Sequence, residues 1–306
     1  MPSLSGNEVK GEGLLLIDRF SQGIQYAPSC QLLHQITPQA NFAQLLALQN
    51  PTGDLTYTNL EVDSIAPKFP TSKILPGAEA SKTNLLEQYL DQLQSAHCAH
   101  FSCHGFFDPE APLKSALILS GGILDDEDVS DIAQETQEDG TGTERYVDWR
   151  EGKKADITKC LTLADIFTLQ LNHCRLAVLS ACETALIDTT NRSDYIGLPT
   201  GFLHAGATGV LASLWSVEDI STALMMVMFY EEFFADSSPS LSLALHKTQL
   251  WFKSATTPDL RTWVEKSDSF NTSQKKMIFD QLDGYNDDKK PYGKVHQWAA
   301  FCAIGL

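Results

Sequence analysis

The sequence has few basic residues and no long apolar run. Lysine and arginine total 22 against 39 aspartates and glutamates, so the formal net charge is −17. Such an acidic surface disfavours nonspecific binding to nucleic acid or to an anionic membrane. No apolar run approaches the roughly 20 residues of a membrane span, and the N-terminus lacks the basic-then-apolar order of a secretion signal. We therefore expect a soluble cytoplasmic protein that binds neither nucleic acid nor membranes.

Paired cysteines are also missing. The seven cysteines are an odd number, and no two of them form a C-x-x-C pair. Most lie in apolar stretches, which is typical of reduced thiols in a cytosol and not of a disulfide framework. The sequence also lacks a phosphate-binding loop, a serine-hydrolase elbow and an H-E-x-x-H zinc motif. These absences argue against a P-loop nucleotide-binding protein, an α/β-hydrolase and an H-E-x-x-H metalloprotease. A single reactive thiol remains as a candidate nucleophile.

The pattern of hydrophobic residues predicts an α/β fold. The chain has 306 residues, of which 43% are hydrophobic, enough for about two domains or one large α/β domain. Near-continuous apolar strands separated by helices are typical of a mostly parallel sheet with helices on both faces. The predicted strands are 96–103, 115–119, 175–180, 208–214 and 298–304, and the predicted helices are 60–69, 81–95, 197–205, 220–234 and 241–252; segment 41–49 fits either state.

One segment departs from this pattern. Residues 123–156 contain twelve acidic and four basic residues, a net charge of −8, nearly half of the total of −17. This composition predicts a mobile acidic loop inserted into the fold. It is either a solvated loop or a lid near the functional site. Residues 1–13 are predicted to be a flexible lead-in to a domain that covers 14–306.

A histidine and a cysteine follow two of the predicted strands. His104 and Gly105 follow one apolar strand, and Cys182 follows another. In an open α/β sheet, ligands bind beyond the carboxyl ends of the strands, so both side chains are expected at one edge. A thiol and an imidazole are the minimum set for acyl transfer, and the N–H of Gly105 suits an oxyanion site. From these residues alone, a purely structural role for the pair stays open.

The segment 97–104 (HCAHFSCH) also permits a metal interpretation. On a strand, Cys98, His100 and His104 share one face, and such ligands bind zinc. A second ligand pair at short spacing is missing, since only His173 and Cys174 come near it. We therefore favour packed core residues with one catalytic histidine, and no metal site.

Five ordered blocks of the sequence resemble one family. The block 99–105 (AHFSCHG) resembles the His-Gly block of CHAT domains, which are caspase-like domains often found C-terminal to tetratricopeptide repeats. The block 179–184 (LSACET) is similar to their nucleophile block. Blocks 197–207, 210–219 and 298–301 are similar to the family in the same order. The resemblance extends over nearly the whole chain, from about residue 14 to the C-terminus.

The resemblance implies a caspase-hemoglobinase-like fold and a caspase- or separase-like cysteine endopeptidase. Cys182 then takes the role of the nucleophile and His104 that of the general acid and base. Gly105 and the N–H of Cys182 form the oxyanion hole. The substrates are proteins or peptides and no cofactor is needed, although the acidic loop is compatible with calcium as an activator.

The same resemblance gives a role to Asp219. The segment 214–219 (LWSVED) is similar to the separase segment that carries an acidic residue after Leu-Trp. This likeness implies that Asp219 lines the S1 pocket and favours a basic P1 residue, because a partly desolvated carboxylate pairs well with arginine. The alternative is that Asp219 caps the helix predicted at 220–234. The two roles are compatible.

The sequence departs from the family pattern in three places. Ala185 stands where the family often has glycine, the acidic segment is longer than expected, and the chain begins late relative to the family's N-terminal strands. An upstream tetratricopeptide-repeat or other regulatory domain is therefore an expected partner. The alternative function is a catalytically silent interaction or regulatory module that kept the fold and the dyad.

Overall fold

The computed structural model describes residues 15–30, 32, 42–124, 145–149, 152–181, 197–216, 218–235 and 240–305. The predicted lead-in at 1–13 lies outside these residues. The strands are β1 Gln25–Tyr26, β2 Gln44–Gln49, β3 Thr71–Pro76, β4 Cys98–Ser102, β5 His104–Phe106, β6 Ala116–Ile118, β7 Ile123–Leu124, β8 Tyr146–Asp148, β9 Lys154–Asp156, β10 Leu161–Thr162, β11 Leu176–Ser180, β12 Gly209–Ser213 and β13 Phe301–Gly305.

Seven of these strands form the central sheet. Their order is β1-β13-β12-β11-β4-β2-β3. Neighbouring strands run parallel except β12 and β13, which are antiparallel. The predicted mostly parallel sheet is therefore confirmed. Because β4 and β11 lie side by side and run in the same direction, with Ser102 paired to Ser180, their carboxyl ends meet at one edge.

Helices cover both faces of this sheet, as predicted. They are α1 Thr58–Ile65, α2 Leu90–Ser95, α3 Leu163–Ile166, α4 Leu198–His204, α5 Asp219–Phe234, α6 Leu241–Ser254, α7 Thr257–Lys266, α8 Thr272–Leu282 and α9 Val295–Trp298. One apolar core lies between the sheet and the layer formed by α1 and α5–α8. A second core lies between the opposite face and α2–α4. None of the described helices combines the length and the apolar character needed to cross a membrane.

The strand β4 shows how side-chain alternation separates the two cores. Ala99 and Phe101 belong to the core on the α2–α4 side, whereas Cys98 belongs to the core on the α1 and α5 side. Successive strand residues point to opposite faces, so His100 and Ser102 share the face of Cys98. All five residues of β4 are buried. The polar residues of this strand are thus placed inside the protein, beneath the sheet edge.

Two smaller sheets flank that edge. One has the order β10-β6-β5 and the other β7-β9-β8. The second sheet is built from the two ends of the acidic segment 123–156. This segment was predicted to be a loop, but its described ends are strands. Residues 125–144 lie outside the described part. The pairing is stabilised by Arg145, whose guanidinium donates to both carboxylate oxygens of the buried Asp156 at 3.1 and 2.6 Å. A small core of apolar residues lies between the two sheets.

Several predicted boundaries were wrong for local reasons. The helix predicted over 60–69 is α-helical only to Ile65 and continues as a 3-10 turn over Ala66–Lys68, because Pro67 lacks the N–H that would extend the α-helix. The predicted strand 298–304 begins only at Phe301, since Trp298 belongs to α9. Helices α7 and α8 were not predicted, although the capping boxes at Thr256 and Asn271 begin them.

Candidate active site

A cavity opens where the carboxyl ends of β4, β11 and β12 meet the start of α5. It is lined by residues that include Glu61, Ser102, His104, Ala181, Trp215 and Asp219. Ala181 directly follows β11 and its carbonyl accepts a hydrogen bond from the hydroxyl of Ser213 at the end of β12. The backbone just before residue 182 is therefore fixed against the neighbouring strand. Cys182 itself lies outside the described residues.

His104 is held from two sides. Its Nε2 lies 3.1 Å from each carboxylate oxygen of Asp54, and its ring contacts the indole of Trp149 edge to face, with 5.0 Å between ring centroids. A carboxylate only accepts hydrogen bonds, so Nε2 must carry a proton. The other nitrogen, Nδ1, is then unprotonated in the neutral imidazole and is the one that can accept a proton. His104 is nearly buried, at 9% exposure.

Asp54 stays ionised beside His104. Burial raises the pKa of this carboxyl, but hydrogen bonds from Thr52 and His104 and the charge of His104 outweigh burial and lower the pKa overall. The side chain is 52% exposed, which leaves the carboxylate partly hydrated. An ionised carboxylate at this position fixes the tautomer and orientation of the imidazole and stabilises the imidazolium. Asp54 was not predicted from the sequence.

Asp219 lines the same cavity as His104. It is the first residue of α5, and the N-cap position is Glu218, so the helix-cap interpretation of Asp219 is wrong. One carboxylate oxygen accepts the backbone N–H of Tyr57 at 2.8 Å. Burial and the neighbouring Glu61 raise the pKa of Asp219 against the opposing effects of backbone N–H groups and His104. The predicted role in substrate binding stays a prediction, and the position is compatible with it.

Gly105 directly follows His104 in β5. It is the central residue of β5, opposite Leu117 of β6, and it lines a groove formed with Phe106–Glu110 and Val147–Trp149. The groove therefore begins at the residue next to His104, which itself lines the cavity. The predicted contribution of the Gly105 N–H to an oxyanion hole stays a prediction.

The histidines and cysteines considered for zinc have other partners. His100 is bonded to Glu61 and to Tyr230, and Cys98 also contacts the hydroxyl of Tyr230. His97 accepts the backbone N–H of Gln44 through Nδ1. Within the described ranges, no three His, Cys, Asp or Glu side chains are arranged to hold a metal ion. The shared face of β4 thus carries a buried hydrogen-bonded network.

The acidic segment reaches His104 through its described end. Trp149, whose indole contacts the imidazole, follows β8 directly and donates its backbone N–H to the carbonyl of Lys153. Residues 125–144 lie outside the described part, so the choice between a solvated loop and a lid for the acidic segment stays a prediction.

Comparison with known proteins gives one family. The family model of the CHAT domain matches residues 9–306. No curated protein sequence matches the chain.

Comparison of structures gives separase and gingipain R. A crystal structure of the Saccharomyces cerevisiae separase–securin complex aligns with a TM-score of 0.51 and 16% identity, over 93% of this chain and 14% of that chain. A second structure of that complex gives a TM-score of 0.48 and 15% identity, over 90% and 13% of the two chains. The Arg-specific cysteine proteinase gingipain R aligns with a TM-score of 0.40 and 10% identity, over 88% and 48%. The chain thus spans about one seventh of the separase chains it matches.

Proposed function

Because the chain belongs to the CHAT domain family, we propose that it is a cysteine endopeptidase of the caspase and separase type, with Cys182 as nucleophile and His104 as general acid and base. One observation carries the proposal. His104 is oriented by Asp54 through Nε2, and it lines the same cavity as Ala181, the residue that directly precedes Cys182. The two proposed catalytic residues thus follow the ends of adjacent parallel strands.

The proposed reaction uses the two ring nitrogens of His104 differently. Nδ1 accepts the proton of the Cys182 thiol, and the thiolate sulfur attacks the carbonyl carbon of the scissile peptide bond. The imidazolium then gives this proton to the leaving amine as the C–N bond breaks, which leaves an acyl-enzyme. A water molecule, deprotonated by Nδ1, hydrolyses the thioester and restores the thiol. Asp54 stays ionised throughout.

Negative charge develops on the carbonyl oxygen during both steps. We assign its stabilisation to the backbone N–H groups of Gly105 and Cys182, because backbone donors fixed at a sheet edge need no reorganisation. Gly105 has no side chain to obstruct the approach of the substrate.

A basic P1 residue is the proposed preference. Asp219 lines the cavity beside His104, and its charge lies in a half-buried position where it is poorly screened. An arginine or lysine side chain compensates that charge directly. Substrates are proposed to be proteins, and an upstream tetratricopeptide-repeat or other regulatory domain is a proposed partner.

The test is active-site labelling with acyloxymethyl ketone probes that carry Arg, Lys, Met, Leu or Asp at P1. Intact mass and peptide mapping identify the modified residue. We expect modification of Cys182, lost in both Cys182→Ala and His104→Ala, and strongest for Arg and Lys. Asp219→Asn should reduce labelling by the basic probes and leave the Met probe nearly unchanged.

The alternatives give different results. Labelling of Cys182 that persists in His104→Ala would contradict the dyad. Preference for Met or Leu would contradict the role of Asp219 but not the peptidase. Absence of labelling by every probe, with a folded protein, would contradict the peptidase and favour a silent interaction module.

A further inference from the structure

A second carboxylate lines the cavity beside Asp219. Glu61 belongs to α1, is only 1% exposed and contributes to the wall of the cavity together with Asp219 and His104. Burial of a carboxylate is costly unless hydrogen bonds and a compensating charge accompany it. Glu61 therefore needs hydrogen-bond donors around it, and His100 and Ser102 of β4 supply them.

Hydrogen bonds hold this carboxylate in one orientation. One oxygen lies 2.9 Å from Nε2 of His100, and the other accepts the hydroxyl of Ser102 at 3.0 Å. Behind them, Nδ1 of His100 lies 3.1 Å from the hydroxyl of Tyr230, which also contacts Cys98. Because β4 supplies Cys98, His100 and Ser102 from one face, the carboxylate is fixed to a rigid strand. It cannot turn away from the cavity without breaking these bonds.

The described walls of the cavity carry two acids and no lysine or arginine. His104 is already paired with Asp54, and His100, which backs Glu61, is not among the lining residues. Glu61 and Asp219 lie close enough for the charge of Glu61 to raise the pKa of Asp219. Two poorly hydrated carboxylates around one space attract a cation that can enter from outside.

A third polar group in the wall, unlike the two carboxylates, has no hydrogen bond. The hydroxyl of Ser180, at the end of β11, is buried and has no hydrogen-bond partner, and Ser180 is 6% exposed. Buried polar groups in native proteins are nearly always bonded, so a buried hydroxyl without a partner in a cavity wall is available to hydrogen-bond a ligand. Ser180 lies in the same cavity wall as Glu61 and Asp219.

We infer that Glu61 is a specificity-determining residue, which together with Asp219 binds the guanidinium of a P1 arginine and selects it over lysine. This inference rests on the proposed peptidase function. A guanidinium is planar and has five N–H donors in a fixed fork, so it can bond two carboxylates and the Ser180 hydroxyl at once. The ammonium of lysine is a compact point charge with three donors. Because it is more strongly hydrated than a guanidinium, its transfer from water into the pocket is less favourable. Asp219 alone would accept either residue.

The first experiment needs no catalysis. In the Cys182→Ala protein, NMR titration measures the affinities of N-acetyl-argininamide, N-acetyl-lysinamide and N-acetyl-methioninamide. We expect argininamide to bind at least fivefold more tightly than lysinamide. Glu61→Gln should abolish most of this difference, whereas the methioninamide affinity stays within twofold. Asp63→Asn is the matched control, because it removes a carboxylate from the same helix at a position outside the cavity wall.

A second measurement leaves Glu61 unchanged and so avoids loss of folding. Arginine with one methyl group on each terminal nitrogen keeps its charge but loses donors. We expect its amide to bind at least tenfold more weakly than argininamide. Equal affinities would overturn the inference, since a single carboxylate would then be sufficient for binding.

Measurements of substrate turnover distinguish a failure of this inference from a failure of the proposed function. In the enzyme with Cys182 intact, Glu61→Gln should lower the Arg-to-Lys ratio of kcat/KM about tenfold, with thermal unfolding confirming the fold. If the ratio is unchanged while Asp219→Asn lowers it, Glu61 is structural and the inference is wrong, although the peptidase stands. If no substrate is cleaved but argininamide binding depends on Glu61, the pocket is confirmed and the proposed peptidase fails.

Discussion

Asp54 bonds His104 across fifty residues of sequence. Both of its carboxylate oxygens lie 3.1 Å from Nε2 of His104. Asp54 follows Asn50, whose amide and carbonyl oxygen bond the backbone of Leu55 and close the turn in which Asp54 lies. The turn thus places the carboxylate of Asp54 against Nε2 of His104. The geometry is that of a third member which orients a catalytic base.

Replacement of Asp54 by asparagine tests this role. The amide can still accept a hydrogen bond, but it cannot stabilise an imidazolium, so we expect kcat to fall by about 10- to 100-fold with little change in KM. The loss is smaller than for a fully buried acid, because the Asp54 side chain is 52% exposed. The rate of Cys182 labelling should fall in parallel. Asp91→Asn, at an exposed position, is the control, and an unchanged kcat in Asp54→Asn would exclude an orienting role.

Sequence alone predicted the parts of the site that lie at strand ends. His104 follows an apolar strand, and hydrophobic runs reveal buried strands, so the location of this residue could be predicted. Asp54 and Glu61 could not be predicted as partners of His104 and His100. Each is one of 39 acidic residues, and only the fold brings α1 and its preceding turn against β4.

The fold was predicted more completely in its centre than at its edges. The central strands have strong hydrophobic signals, and the order of helices and strands predicted the parallel sheet. The small sheet β7-β9-β8 was missed, since the charge of its surroundings favours a loop and two- or three-residue strands leave little pattern. Its stability depends on Arg145 and Asp156, eleven residues apart, which is a tertiary contact without a local signal.

Trp149 should act as a positioning residue for His104. Its indole contacts the imidazole edge to face at 5.0 Å, a geometry worth roughly 1 kcal/mol. Trp149→Ala frees the ring on that side, so we expect kcat to fall by about 5- to 20-fold, with the stability measured separately by urea unfolding. Trp149→Phe should recover most of kcat. If phenylalanine does not rescue the activity better than alanine, packing against His104 is not the reason for the effect.

The hydroxyl of Tyr230 should stabilise the fold. It is fully buried and contacts both Cys98 at 3.3 Å and His100 at 3.1 Å. Tyr230→Phe leaves these groups without that partner, so we expect the free energy of unfolding to fall by about 1–3 kcal/mol. Tyr89→Phe is the matched control, because its hydroxyl bonds Glu79 near the surface, and it should cost less than about 1 kcal/mol. Equal losses in the two variants would show that the buried network adds nothing.

Asp156 should make the free energy of unfolding depend on pH in the acid range. Burial raises the pKa of this carboxyl, but Arg145 and the hydroxyl and N–H of Thr158 outweigh burial and lower it overall. A carboxyl whose pKa is lower in the folded state stabilises the fold above its unfolded pKa of about 3.9, and this contribution is lost as the pH falls through the folded pKa. Asp156→Asn should cost about 1–3 kcal/mol at pH 7, a discounted value because Arg145 is half exposed.

The measurement for Asp156 is the difference in unfolding free energy between the parent and Asp156→Asn from pH 7 to pH 2. We expect a constant difference down to about pH 4 and a decrease below it. A difference that is the same at pH 2 and pH 7 would mean that the charge of Asp156 is irrelevant.

Thiol reactivity should distinguish Cys182 from every described cysteine. Burial raises the pKa of Cys160, Cys174 and Cys302 to about 12, so these thiols stay protonated at pH 7. Cys30 is exposed and serves as an internal reference. We expect iodoacetamide to modify Cys182 first, Cys30 more slowly and the buried thiols only after unfolding.

Replacement of His104 should change the alkylation rate of Cys182 alone. His104→Ala removes the base, so the rate at Cys182 should fall toward that of Cys30, while the rate at Cys30 stays the same. Cys103 provides the most demanding comparison, since it adjoins His104 and lines the same cavity at 2% exposure. If His104 activated whichever thiol lies near it, Cys103 would also be modified. Modification of Cys103 in place of Cys182 would therefore identify Cys103 as the reactive thiol and contradict the proposed dyad.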